Sequence, residues 1–192
     1  MESSLSRKII VAICLLQAFS CFAGKLVCKP PSQIETGDLV YRYQDSMISN
    51  IVLRVQGDQR FSHVGIAVRM KQDLFIVHSE YDPSRNMDGV VWEAYCDYVQ
   101  LAQRVSVKRQ SLKPALSSDQ VISEIKNVGN KKFNLTLTNK SSNTVYCTQF
   151  VWLIFSKLYK EDVFKLKNYP ENVITVRDLY QAENFTTMYD YH

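Results

Sequence analysis

Neither sign of charge dominates this chain. Over 192 residues the formal net charge is only +4, and no basic run carries interleaved aromatics. That excludes the electrostatic footprint of a nucleic-acid binder. Histidine is scarce, with three in the whole chain, and no two cysteines stand as C-x-x-C, which argues against a structural zinc site. Long apolar runs are missing too. The longest, from Ile9 to Phe22, has roughly 14 residues, short of the roughly 20 that span a bilayer. Internal repeats and low-complexity segments are absent. What is present is an ordinary folding composition, 46% hydrophobic and 22% charged, enough for one ordered domain with its own core.

The first residues differ from the rest. Arg7 and Lys8 precede the apolar run, and the small residues Ser20, Ala23 and Gly24 follow. This is the layout of a secretory signal peptide, expected over residues 1–24 and cleaved near Ala23 or Gly24. A lipoprotein-type leader ending at Cys21 is a minor alternative, because Ala18-Phe19-Ser20 fits that pattern poorly. Residues 25–35, with Pro30 and Pro31, read as a linker, and 36–192 as one domain that is secreted or otherwise extracytoplasmic. Export leaves Cys28, Cys96 and Cys147 in the mature chain. In an oxidising compartment Cys28 can pair with Cys96 and leave Cys147 free, although spacing does not decide the pairing.

Gly37-Asp38 opens a strand at Leu39-Val40-Tyr41, and helical spacing follows at Met47, Ile48, Ile51, Val52 and Val55. Strands are expected over 62–70, 74–81, 89–95 and 104–109. Ser117 and Gln120 have the spacing of a capping box before a helix with Val121, Ile125 and Val128 on one stripe. Residues 131–143 read as polar loop. The helix after Cys147 is apolar nearly all round and therefore central. Short strands are expected at 173–176 and 185–189. The sum is an α+β domain, an antiparallel sheet packed on a buried helix.

Cys147 falls in the first turn of that helix if Asn143 or Thr144 caps it, where unpaired N–H groups and the dipole favour a thiolate. The same N–H groups can hold an oxyanion. A free cysteine otherwise serves as a small core hydrophobe. In Ser62-His63-Val64-Gly65-Ile66-Ala67-Val68, alternation puts His63, Gly65 and Ala67 on one face. The two small residues leave a gap into which the cysteine helix can pack beside His63.

Three segments, Gly37-Asp38-Leu39-Val40, Ser62-His63-Val64-Gly65-Ile66 and Tyr146-Cys147-Thr148-Gln149-Phe150-Val151, resemble the YaeF/YiiX-type permuted papain-like amidases. These are relatives of NlpC-type peptidases in which the histidine strand precedes the cysteine helix. The resemblance runs from about Thr36 to about Leu179 and implies a papain-like thiol hydrolase acting on amides in peptides or cell-wall material. Its third polar position, commonly glutamate, falls on His78 here. A two-residue turn at Lys71-Gln72 would set residue 63 across from residue 80 and residue 65 across from residue 78. That pairing admits either residue, and the resemblance makes His78 the expected partner of His63, with Glu80 as the alternative.

The chemistry expected is acyl transfer to the Cys147 thiol with His63 as base, needing neither metal nor organic cofactor. Substrates are peptides, peptidoglycan or acyl lipids, with no nucleic acid and no stable membrane span. Two alternatives remain from the sequence. One is a lipid acyltransferase or thioesterase acting on acyl esters, with Phe61, Phe75, Trp92 and Tyr95 as candidate lining. The other is a secreted binding module that has lost the chemistry.

Overall fold

The structure, a computed structural model, describes residues 28–58, 60–137, 143–166 and 173–191. The expected signal peptide over 1–24, with Cys14 and Cys21, lies outside the described residues. No helix among the described residues is long and apolar enough to cross a membrane.

The strands are β1 (Leu39–Tyr43), β2 (His63–Met70), β3 (Asp73–Asp82), β4 (Met87–Ala94), β5 (Arg104–Gln110), β6 (Lys132–Phe133), β7 (Thr144–Val145) and β8 (Phe185–Tyr191). The helices are α1 (Met47–Gln56), α2 (Tyr95–Val99), α3 (Ser118–Val128), α4 (Cys147–Tyr159) and α5 (Val176–Tyr180). Six strands form one sheet in the order β4-β3-β2-β1-β5-β8, antiparallel at every pairing. The short pair β6-β7 is parallel. The expected α+β architecture, with an antiparallel sheet on a buried helix, is the one observed.

Alternation along the strands divides the sheet into two buried faces. On one, Leu39, Tyr41, Val64, Ile66, Val68 and Val77 pack with α3 and α4. On the other, Val40, Ala67, Ile76 and Val107 pack under Tyr95 and Tyr98 of α2. Helix α4 buries residues from Cys147 to Val151 and again Ile154 and Phe155, so its apolar circumference is matched by core on nearly every side. Burying a Phe150-sized side chain contributes about 1.5–3 kcal/mol.

Local signals account for the element ends. Ser117 accepts from the Gln120 N–H and the Gln120 side chain returns to the Ser117 N–H, completing the expected capping box. Ser46 caps α1 in the simpler way, and Gly57 ends it in the left-handed region at φ 64°. The β2–β3 hairpin turns on Lys71 and Gln72, as Met70 pairs with Asp73 and Ile66 with Val77.

Several expectations are corrected. Val176–Tyr180 is helical where a strand over 173–176 was expected, because Thr175 and Asp178 form a second capping box. The expected linker is partly built into the domain: Ile34 is core, and Cys28 is disulfide-bonded to Cys96 of α2. Residues 131–143 are not simply polar loop, since they carry β6. The helical spacing read at Met47 to Val55 is the observed α1, and much of its apolar stripe lies outside the core. Met47, Ile51 and Val55 are exposed, while the buried positions are Ser49, Leu53 and Gln56.

Candidate active site

His63 is the first residue of β2, across from Arg42 of β1. The hairpin register places Glu80 opposite it and His78 one diagonal step away, as a two-residue turn requires. The same diagonal step repeats from His78 to Glu93 on β4, since Ile76 pairs with Glu93 and His78 with Val91. Arg42, His63, His78, Glu80 and Glu93 therefore share the face covered by Tyr98. Gly65 permits this crowding. A Cβ there would stand 2.5 Å from Ile76 Cγ2 and 3.0 Å from His78 Cβ.

His63 Nε2 lies 2.8 Å from His78 Nδ1, and His78 Nε2 lies 3.1 Å from Glu93 Oε2. A carboxylate only accepts, so His78 donates its Nε2–H to Glu93 and presents a bare Nδ1. His63 must then carry its proton on Nε2, which leaves Nδ1 as its basic nitrogen. Glu80 Oε2 stands 3.5 Å from His63 Nε2 but is held at 2.5 Å by Arg42 Nη2. Arg42 also donates to the Tyr98 carbonyl at 2.7 Å and stacks on the Tyr98 ring. Arg85 pairs with Glu93 from the outer side.

These contacts and burial set the charge states. Burial first, then the Arg42 charge and the neighbouring His78, which disfavours a second positive charge, push His63 well below its ordinary 6.5. Burial lowers His78 as well, against the opposing pull of its Glu93 hydrogen bond. Burial raises Glu93, but its bonds to His78 and Arg85 outweigh that and keep it low. The site holds two neutral imidazoles above an ionised carboxylate.

Cys147 arrives from the opposite face of the sheet. Tyr146 is the N-cap of α4, not Asn143 or Thr144, so Cys147 is the first helical residue. The backbone N–H groups of Thr148, Val64 and Cys147 itself favour the ionised form of the thiol. Burial and the Glu80 charge nevertheless push the thiol up to about 12, so the resting group is a neutral thiol. The thiolate expected from the helix terminus alone is corrected: desolvation outweighs the dipole. The helix start is pinned by Ser79 Oγ donating to the Val145 carbonyl and Thr148 Oγ1 donating to the Ile174 carbonyl, each at 2.7 Å.

The expected packing of α4 into a gap at Gly65 and Ala67 is also corrected. Helix α4 lies on Val64, Ile66 and Val68, and the space at Gly65 is taken by Ile76 and His78 of the neighbouring strand. His63 and Cys147 meet because each stands at the start of its element, at one end of the sheet, where both line a single cleft with Glu80. Its walls are mainly aliphatic, with the aromatics Phe133 and Tyr146 among them. None of Phe61, Phe75, Trp92 or Tyr95 lines it. Glu93 and Arg42 were not singled out in the sequence. The signal available was parity, since Glu93 shares the inward face with Gly89 and Val91 while Trp92 points out.

Residues 33–188 match the family described as "Permuted papain-like amidase enzyme, YaeF/YiiX, C92 family". Among solved structures, YiiX from Escherichia coli O157:H7 is similar in fold, with a TM-score of 0.67 and 16% identity over 83% of this chain and 98% of that one. The chain matches no curated protein in sequence. The YiiX structure is described as that of a metalloprotein. In this chain the corresponding test is whether His63, His78 and Glu80, whose ligand atoms lie within 4.8 Å of one another, suit a cation. They do not: the two imidazoles share a hydrogen bond, and Glu80 is taken by the Arg42 guanidinium, whose charge repels a metal ion. A thiol and an ordered imidazole pair in one cleft are what a cysteine hydrolase requires, and the family match spans most of the domain. This chain belongs to the YaeF/YiiX family of permuted papain-like amidases, a family of cysteine hydrolases.

Proposed function

We propose that the protein hydrolyses amides through an S-acyl (thioester) intermediate on Cys147, with His63 as the base and His78 as its positioning residue. The observation that carries this is the one-way hydrogen-bond chain from His63 through His78 to Glu93, which makes His63 Nδ1 the basic atom at a cleft shared with Cys147. Thiol and imidazole both start neutral, so attack and proton transfer occur together once a carbonyl is seated. Sulfur bonds to the carbonyl carbon as His63 takes the proton. The oxyanion is met by backbone N–H groups at the start of α4. His63 then returns the proton to the leaving nitrogen, the C–N bond breaks, and water activated by His63 releases the acid and restores the thiol. Glu80, tied to Arg42, adds negative potential that favours the transient imidazolium.

Peptide or cell-wall amides are the substrates implied by the resemblance in sequence. The aliphatic walls beside Cys147 favour the acyl-lipid alternative for the part of the substrate bonded to sulfur. Export belongs to the same reading. A Cys28–Cys96 disulfide is kept in oxidising compartments, in keeping with a cleaved leader over 1–24.

The test is intact-mass spectrometry during turnover of an activated acyl amide. An acyl adduct should accumulate on Cys147, and both the adduct and turnover should vanish in Cys147→Ala. Turnover surviving in that variant overturns the mechanism.

A further inference from the structure

The proton on His63 Nε2 has a second acceptor close by. His78 Nδ1 lies at 2.8 Å and Glu80 Oε2 at 3.5 Å. A carboxylate is the stronger acceptor, because a charge-assisted hydrogen bond is roughly twice as strong as a neutral one. Such a bond closes at about 2.8 Å, so Glu80 would capture the proton by moving only about 0.7 Å. The hairpin register sets residue 80 directly opposite residue 63, which leaves nothing of the backbone in the way.

Arg42 holds the carboxylate back. Its Nη2 bonds at 2.5 Å to Oε2, the same oxygen that faces both His63 and His78. The guanidinium is itself fixed. It is buried, its Nη1 donates to the Tyr98 carbonyl at 2.7 Å, and its Cζ lies 4.3 Å from the centre of the Tyr98 ring. Tyr98 is buried in turn and donates its hydroxyl to the Val40 carbonyl at 3.0 Å, two residues beyond the disulfide at Cys96. The planar fork of Arg42 thus ties one carboxylate oxygen to a rigid point of the backbone. The other groups around His63 are His78 from β3, Tyr98 from α2 and Cys147 from α4. Glu93 of β4 lies 4.0 Å from Arg42 Nη1 and is engaged by His78 and Arg85.

We propose that Arg42 is a positioning residue that keeps Glu80 off His63, so that the Nε2 proton goes to His78 and the base works in the chain ending at Glu93. The catalytic consequence rests on the amidase reading above, whereas the hydrogen bond is readable without turnover. Without Arg42, Glu80 becomes the partner of His63. The imidazolium is then favoured by a direct carboxylate contact, and His78 falls outside the chain.

The chain has three histidines, so labelling their ring nitrogens with a magnetic isotope gives few signals. A nitrogen–nitrogen coupling across the His63–His78 hydrogen bond should be present in the wild type and absent in Arg42→Met. It should return in Arg42→Met/Glu80→Gln, where the competing charge is gone. Turnover of an acyl amide should follow the same pattern. His78→Ala should cost about tenfold in kcat in the wild type and in the double variant, but less than about twofold in Arg42→Met. The acid limb of kcat/KM should move up by about one pH unit in Arg42→Met and by less in the double variant. Coupling that survives in Arg42→Met overturns the proposal. Coupling lost in both variants also overturns it and makes Arg42 a support for Tyr98 alone. If Arg42→Met does not fold, the double variant decides. Removing the pair together strands no charge, so that variant should fold with the coupling intact, and its failure to fold beside a folded Glu80→Gln overturns the proposal. The expected couplings with no cleavage of any acyl amide sustain the role of Arg42 and overturn the amidase reading. Cleavage with couplings unmoved by either substitution does the reverse.

Discussion

His63 Nε2 and His78 Nδ1 stand 2.8 Å apart, and the direction of that hydrogen bond is fixed from beyond the pair by Glu93. Because the carboxylate claims the proton on His78 Nε2, the proton between the histidines belongs to His63. The base is therefore prepared as one tautomer, with its lone pair on Nδ1. His78 alone could have been protonated on either nitrogen. Glu93 removes that freedom.

Variants of the three partners should separate their roles. His63→Ala should lose about 10²–10⁴-fold in kcat, the span of a general base. His78→Ala and Glu93→Gln should each lose about tenfold with little change in KM, because the base remains but is no longer held as one tautomer. Single-turnover rates check this. A Glu80→Gln loss exceeding that of His78→Ala would make Glu80 the orienting group.

Thiol labelling reads the charge state of Cys147. Iodoacetamide should react slowly near neutral pH and faster as pH rises, because burial pushes the thiol up to about 12. Glu80→Gln should speed labelling, since the Glu80 charge is one of the causes holding the thiol high. Peptide mapping should find Cys28 and Cys96 unmodified before reduction. Fast, pH-independent labelling would mean a resting thiolate and contradict the neutral pair.

The pH–rate profile follows from the same shifts. His63 is held well below 6.5, so kcat/KM should fall only on the acid side, with its midpoint below 6.5. No alkaline limb is expected near neutrality, because the thiol titrates far above it. A thiolate–imidazolium pair would instead give a bell. Stability should have the same sign. The folded-state pKa values of His63 and His78 are depressed, so the unfolded chain binds more protons below about 6.5. Their contribution is complete above that pH and is lost as pH falls toward their folded values. Urea titrations across this window measure it.

Gly65→Ala should cost stability and activity together. The added methyl meets Ile76 Cγ2 at 2.5 Å and His78 Cβ at 3.0 Å, and overpacking of this kind costs about 1–3 kcal/mol. Displacing His78 also loosens His63, so kcat should fall while Cys147 labelling changes little. Calorimetric Tm and initial rates together test it. An unchanged Tm would show that the strands do not approach as closely as described.

The sequence by itself determined the order of elements, the hairpin register and the buried cysteine helix, because each rests on local chemistry. A two-residue turn at Lys71-Gln72 leaves one pairing, and that pairing brings residues 78 and 80 to residue 63. A helix apolar on all sides has nowhere to go but the core. Which face each group occupies was decided only by the tertiary structure. Gly65 invites a helix when read along its own strand, yet the neighbouring strand fills that space first. Parity puts Glu93 on the inward face of its strand, but its place in the site depends on His78 reaching it from the neighbouring strand. The charge of Cys147 was likewise a global quantity. A helix terminus alone favours thiolate, but burial among core side chains removes the water that would stabilise it. The apolar stripe of α1 was legible as a helix signal, whereas its service as the wall of a cleft depended on Leu135, Leu137 and Val173 arriving from distant parts of the chain.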